Sequence, residues 1–272
     1  MAIFNFRSLG SGSSGNSYLF QTDEGFFLID AGVAIRKIQK FLIETGVSAS
    51  ALKAIFLTHD HSDHSRNAGT LQMSAQKKGA SLPIFATEKV FQGILENPAI
   101  TKKPLTENIH FIEKEQPIDC CGCTITPFEV PHDSNDNVGY YIQHRDRRIC
   151  LVTDAGEITD KILHYIQKTS HLILESNYDD QMLDAGPYPE ILKRRIRSPH
   201  GHLCNSKAAE IIYTYRKQLE KVWLCHLSEN NNTPQKAFQI VSDLFLKNGL
   251  KMADYLELQV LLRKTPSNVF HI

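Results

Sequence analysis

Apolar and polar positions alternate over much of the first thirty residues. "AIFNFRSL" (2–9), "NSYLFQT" (16–22) and "GFFLIDAG" (25–32) therefore predict three strands, the last two joined by the turn "DEG". The period then changes. "RKIQKFLIETG" (36–46) has helical spacing and stops at Gly46. "KAIFLTH" (53–59) reads as a short apolar strand, "AGTLQMSAQKKG" (68–79) as a helix ended by Gly79, and "LPIFA" (82–86) as another strand. From Ile109 to Ile149 the pattern is strand-like throughout, in "IHFI", "CTITPFEV", "VGYYIQH" and "RRICLVTD". Helical patterns return in "ITDKILHYIQK", "YPEILKRRI", "NSKAAEIIYTYRKQL" and "TPQKAFQIVSDLFLKNG". The short apolar strands "HLILES" and "KVWLCH" lie between them, and "LELQVLLRK" is a last strand. Strands mixed with helices in both halves predict an α/β fold of two sheets with helices outside.

Composition narrows this picture. Hydrophobic residues make up 42% of the 272 residues, ample for a sizeable core. No repeat, low-complexity tract or long linker divides the chain, so one domain over 1–272 is expected. Basic and acidic residues are equal at 30 each, so no global field draws nucleic acid and any basic footprint must be local. The N-terminal "MAIFNFRSLG" lacks the features of a secretory leader, and no run of about 18 apolar residues predicts a membrane span. A soluble cytoplasmic protein is expected. The "CCGC" at 120–123 has no second Cys/His pair at structural-zinc spacing, so it reads as reduced thiols on a strand.

"GSGSSG" at 10–15 matches G-x-G-x-x-G, and Asp30 follows twenty residues after Gly10. A dinucleotide site needs a helix after those glycines. Here "NSYLFQT", a strand, follows instead. The glycines therefore read as a tight strand-to-strand turn where backbone can approach a site closely, with Ser13, Ser14 and Asn16 as hydrogen-bond donors. Asp30 reads as a strand-end residue that orients the loop described next.

That loop is "THDHSDH" at 58–64, which follows the apolar "AIFL". It packs His59, His61, Asp63 and His64 into six residues. Imidazole nitrogens and carboxylate suit zinc and related divalent ions. At i and i+2, His59 and His61 can converge on one ion, while Asp63 and His64 face a second. The motif, H-x-H-x-D-H, resembles that of the metallo-β-lactamase superfamily. Three later strands each end in a further candidate ligand: His132 in "EVPHDS", Asp154 in "LVTDAG" and His226 in "WLCHLS".

The resemblance implies an αββα sandwich. It also implies two divalent metal ions, zinc or manganese. His59, His61 and His132 would hold the first, Asp63, His64 and His226 the second, and Asp154 would bridge both. Two cations about 3.5 Å apart share a water and lower its pKa. Asp60 would hydrogen-bond behind the ligands. Oxygen-reducing diiron members typically carry Glu where His61 stands, which disfavours that branch.

"LESNYDDQML", "GPYPEILKRRI", "SPHGHLCNSKAAEI" and "CHLSENNNTP", together with "SLGSGSSGNS", resemble the YycJ/VicX (WalJ) branch, related to nucleases of the tRNase Z type. That branch implies a DNA exonuclease. The chain departs from the expected pattern at Cys204, where Ser is expected in "GHLSN"; the change keeps size but weakens hydrogen bonding there. By the same resemblance His202 would protonate the leaving oxygen or stabilise phosphate charge, and Glu175 would orient it and raise its pKa. Asp63 counts among the catalytic residues as well as the ligands. His200 reads as a surface residue. Asn205 or Ser206 can cap the helix that follows. "NNNT" at 230–233 reads equally as a loop shaping the site or as a helix cap. "LKRRIR" (192–197) reads equally as a phosphate-neutralising cluster or a solvated helix face.

Two other functions compete with a nuclease. One is a small-molecule hydrolase for a lactone, thioester or cyclic phosphodiester, which needs neither His202 nor the Arg cluster. The other is a non-catalytic signalling partner, which an intact ligand set argues against. Only 71 residues separate Asp154 from His226, too few for a large β-CASP insertion, so an open substrate face is expected.

Overall fold

The structure is a computed structural model that describes residues 3–44 and 51–272. The predicted helix stop at Gly46 lies outside the described residues. Two seven-stranded mixed sheets stack face to face. The first takes β1 (Phe4–Gly10), β2 (Ser17–Thr22), β3 (Gly25–Ile29), β4 (Leu52–Phe56), β5 (Ile84–Ala86) and β6 (Ile109–Phe111) in that order. The second takes β7 (Ile118–Cys120), β8 (Cys123–Glu129), β9 (Val138–His144), β10 (Arg147–Val152), β11 (His171–Glu175), β12 (Lys221–Cys225) and β13 (Glu257–Val260). A two-residue strand, β14 (Phe270–His271), completes the first sheet beside β1.

The sheets share one logic. In each, the early strands pair antiparallel and the later ones parallel. As a result β1, β3, β4, β8, β10, β11 and β12 all present their C-terminal ends to the same edge, where open α/β sheets bind ligands. Between the sheets lies an aromatic-rich core that includes Phe6, Phe20, Phe27, Phe56, Tyr140 and Trp223. Helices α1 (Ile35–Glu44), α3 (Ala68–Gln76) and α4 (Glu88–Glu96) cover the outer face of the first sheet; the four-residue α2 (Ser62–Ser65) lies in the connection before α3. Helices α5 (Asp160–Ile166), α8 (Asn205–Tyr215) and α9 (Pro234–Lys247) cover the second, and α6 (Asp180–Ala185) and α7 (Glu190–Ile196) lie on the chain between β11 and α8. This is the αββα sandwich that the patterns and the resemblance predict.

Several elements differ from the sequence reading. Helix α4 was not visible as a helix, because its short apolar face is interrupted by Gly93. Its start is set by Thr87, whose hydroxyl accepts from Val90 N. "LELQVLLRK" forms strand over only four residues before the chain leaves the sheet, and β14 was missed because two residues carry no period. The "CCGC" stretch is a hairpin: Cys120 faces Cys123 across β7 and β8, and Cys121 and Gly122 make the turn at φ +52° and +69°. All six cysteines are free. Among the described residues no helix is long and apolar enough to cross a membrane.

Candidate metal centre

Each predicted ligand follows the C-terminal end of a strand. The loop after β4 carries His59, His61, Asp63 and His64; His132 follows β8, Asp154 follows β10 and His226 follows β12. The register that pairs Val152 with Leu174 and Glu175 with Cys225 sets Asp154, Glu175 and His226 side by side. Donor atoms gather in overlapping groups whose members lie within 4.8 Å of one another: His59, His61 and His132; Asp63, His64 and His226; His59, His64 and Asp154. Asp154 also joins Glu175, His202 and His226. The seven predicted ligands and the predicted catalytic residues His202 and Glu175 are thus brought to one place.

The orientation of the imidazoles tests whether cations fit. Outer partners take Nδ1 in four of them. His59 Nδ1 meets Thr58 Oγ1 at 2.9 Å and His64 Nδ1 donates to Asp30 Oδ2 at 2.7 Å. His132 Nδ1 donates to the Gly201 carbonyl at 2.9 Å and His226 Nδ1 meets Glu175 Oε1 at 3.0 Å. Nε2 of His59, His132 and His226 is buried without a hydrogen-bond partner. Three unpartnered imidazole nitrogens at one spot are costly unless something binds them. An outer bond that fixes the tautomer and leaves the other nitrogen facing inward is how histidine ligands are set. The residues present fit divalent cations.

Electrostatics agrees. Burial pushes His59 and His132 down, toward the neutral imidazole that ligates. At His226 burial also opposes charge, but Asp154, Asp63 and Glu175 outweigh it and push the group up to about 10. Burial would raise the Asp154 carboxyl, yet His226, His64 and His132 hold it well below the usual range. The carboxylates therefore draw positive charge to these nitrogens, which a cation supplies as well as a proton.

Local backbone serves the same end. Asp30, Asp154 and His226 have φ of +61°, +52° and +52°, in the left-handed region that non-glycine residues seldom occupy. Each turns the chain sharply at a strand end and aims its side chain into the cluster. Asp30 is fully buried and also accepts from Thr58 N at 2.9 Å, which clamps the start of the histidine loop to β3. Asp60 faces away from the donors and accepts from Asn135 N at 3.2 Å, bracing the stretch after His132.

The glycine-rich stretch joins antiparallel β1 and β2, and no helix follows it. Gly12 N donates to Asn16 Oδ1 at 2.8 Å, and Asn16 Nδ2 donates to His64 Nε2 at 2.8 Å. Ser11 Oγ accepts from His226 N at 2.8 Å. The loop thus touches predicted ligands from both sheets. A Cβ on Gly15 would lie 2.5 Å from the Gly32 carbonyl, and one on Gly32 would lie 1.6 Å from the Asp63 carbonyl. The close approach excludes side chains at both positions.

Glu175, fully buried, accepts from Ala155 N at 2.8 Å and Leu203 N at 3.0 Å through Oε2. Its Oε1 meets His202 Nδ1 at 2.8 Å. His202 is 22% exposed at its side chain and lies 3.4 Å from Asp154 Oδ1. Burial opposes its charge, but Glu175 and Asp154 raise its pKa. His200 is exposed, as expected.

Three readings are corrected or resolved. Neither Asn205 nor Ser206 caps α8: the cap position is Cys204, which makes no capping bond, and Cys204 Sγ meets Ser206 Oγ at 3.0 Å. Asn205 instead accepts from Ser176 Oγ and Asn232 Nδ2. "NNNT" does both jobs, for Asn232 also holds the Ser176 and Asn177 carbonyls while Thr233 caps α9. "LKRRIR" is no uniform cluster: Lys193 is buried on the Asp184 carbonyl, Arg197 pairs with Asp184 and Arg195 pairs with Asp133. Residues the sequence reading passed over include Thr58, Asp133 and Asn177. Asn177 Nδ2 donates to the His226 carbonyl at 2.8 Å. The available signal was position, since each stands within two residues of a predicted site residue in a loop after a strand.

Residues 26–227 match the model of the beta-lactamase superfamily domain, and the chain belongs to that family of metal-dependent hydrolases. More particularly, it is 34% identical over 252 residues to the exodeoxyribonuclease WalJ of Streptococcus pneumoniae, an alignment that spans 92% of this chain and 90% of that one. It is 30% identical over 270 residues to the exodeoxyribonuclease YycJ of Bacillus anthracis, spanning 98% and 99%. The crystal structure of the metallo-beta-lactamase fold protein YhfI from Bacillus subtilis superposes over 100% of both chains with a TM-score of 0.74 at 19% identity, a likeness of fold. The family and branch resemblances read from the sequence are borne out.

Proposed function

We propose that this protein is a two-metal phosphodiesterase that removes nucleotides from the ends of DNA. The observation that carries the reading is the Glu175–His202 pair, seated 3.4 Å from Asp154 at the edge of the ligand cluster. Hydrolysis of a lactone or thioester has no need of such a pair. The names of the two relatives, exodeoxyribonucleases over nearly the whole chain, support DNA as substrate. His59, His61 and His132 would hold one cation, Asp63, His64 and His226 the other, and Asp154 both; zinc suits the histidines and manganese the bridging carboxylate. Such a pair of cations supplies hydroxide near neutral pH and neutralises charge on the scissile phosphate.

The chain's own residues do the rest. Glu175 engages Nδ1 of His202 and leaves Nε2 to the substrate. Protonated there, His202 gives its proton to the leaving oxygen as the P–O bond breaks, and Glu175 stabilises the imidazolium. Asp30, Thr58 and Asn177 hold the ligands in place. On this reading the protein works in the cytoplasm as one domain over residues 1–272.

The test compares wild type, Asp63→Asn and His202→Ala on 5′-labelled duplex DNA, single-stranded DNA and a tRNA precursor with Mn²⁺ or Zn²⁺. Wild type should shorten DNA, and both variants should be strongly impaired. Hydrolysis of a lactone or cyclic nucleotide without cleavage of any nucleic acid would overturn the reading. Loaded protein should contain close to two ions per chain; a single-ion result would remove the bridging role of Asp154.

A further inference from the structure

A cavity of about 190 Å³ lies against His202 and Gly201, and nothing in the mechanism above uses it. Its apolar lining is Tyr188, Leu192 and Ile196, which pack with Tyr178, Leu183 and Cys204. Tyr188 is held by its neighbours in the chain and by one hydrogen bond. It stands between Pro187 and Pro189, whose fixed φ stiffens the link from α6 to α7, and its hydroxyl accepts from Asn230 Nδ2 at 3.0 Å. The lining also includes three uncharged polar residues, Ser13, Asn177 and Ser228. Ser228 Oγ already accepts from Asn231 N at 3.2 Å, so its proton is left to donate. Arg195 and Asp133 also line the cavity, where they pair with and neutralise each other.

Size and charge select the occupant. Pockets that engulf a drug-sized ligand run to about 300–1,000 Å³, so this one takes a single ring system. An anion finds no uncompensated positive charge there, whereas an aromatic wall with hydroxyl and amide groups suits a nucleobase. Resting on the nuclease reading above, we propose that the cavity holds the base of the terminal nucleotide, stacked on Tyr188, while its phosphate reaches His202 and the ligand cluster. Stacking does not distinguish bases, and hydroxyls turn to donate or accept, so the pocket tolerates any sequence. It has room for one unpaired base, so a paired end must fray before it enters.

The test uses single-stranded oligonucleotides that carry at each end in turn either a normal nucleotide or an abasic tetrahydrofuran residue. Wild type should release the base-bearing terminus on the order of tenfold faster, in kcat/KM, than its abasic counterpart at one of the two ends. Tyr188→Ala should remove most of that preference by slowing only the base-bearing substrate, and Tyr188→Phe should keep it. Equal release of both termini by wild type overturns the pocket and leaves the nuclease reading intact. So does an equal loss on both substrates in Tyr188→Ala. Failure of wild type to shorten any oligonucleotide overturns the nuclease reading, and this inference with it.

Discussion

The first sheet delivers its donors in one loop; the second delivers them one strand at a time. His59, His61, Asp63 and His64 come from six consecutive residues after β4. His132, Asp154 and His226, with Glu175 behind them, come from four separate strand ends spread over almost a hundred residues of chain. The geometry of the first group is mostly local and needs a clamp, which Asp30, Asn16 and Gly32 supply. The geometry of the second group is topological. Three adjacent parallel strands in register set Asp154, Glu175 and His226 at one height, and β8 runs the same way to bring His132. A loop can hold several donors cheaply, but only a sheet can hold distant ones in register.

That contrast can be broken most severely at Asp154, the residue that reaches donors of both halves. Asp154→Ala should lower DNA hydrolysis on the order of 10³-fold and reduce metal content per chain, read by nucleotide release and elemental analysis. Full activity with two retained ions would show that the halves do not meet there. The next largest effect is on the clamp. Gly32→Ala drives a Cβ into the Asp63 carbonyl and should cost roughly 3 kcal/mol or more in urea unfolding. A change under about 0.5 kcal/mol would mean that the histidine loop does not rest against Gly32.

Smaller effects separate the outer partners of the two halves. Asp30→Asn removes the carboxylate that accepts from His64 and Thr58, and should weaken metal affinity about 10–100-fold in chelator titrations. Affinity unchanged within about twofold would make Asp30 a folding residue only. Glu175→Gln should act chiefly on the shape of the pH profile. Glu175 raises the pKa of His202, and on the proposed mechanism the acid form of His202, present below that pKa, is the active one. Without the carboxylate the proton leaves at lower pH, so the alkaline fall in kcat/KM should begin at lower pH. A limb that stays in place would remove His202 from the role of acid.

The two halves also differ in how much of them could be read in advance. The histidine loop was legible because its donors are adjacent: neither core packing nor a solvated loop calls for four of them in six residues after an apolar strand. His132, Asp154 and His226 were legible only as a set, through the resemblance and through the shared setting of a strand followed by a polar residue. Thr58, Asp133 and Asn177 carried no periodic or compositional signal, since a polar residue beside a ligand looks like any loop residue. Tyr188 opened the helical pattern "YPEILKRRI" with no other signal, and its place on one cavity with His202 depends on how α6 and α7 pack.

The sequence by itself determined the layers, through apolar periods of two and of 3.6, and it determined the donor types, through residue chemistry. Local spacing also ruled out the dinucleotide reading of "GSGSSG", because a strand follows the glycines. Only the tertiary structure decided that this stretch seats Ser11 on His226 and Asn16 on His64, since those contacts join residues 215 and 48 positions apart. It likewise decided which nitrogen of each imidazole faces inward, because that depends on outer partners drawn from other strands. Periodicity reports what a residue does to its own segment. The direction of a side chain across a shared sheet edge depends on strand order and register, which no single segment contains.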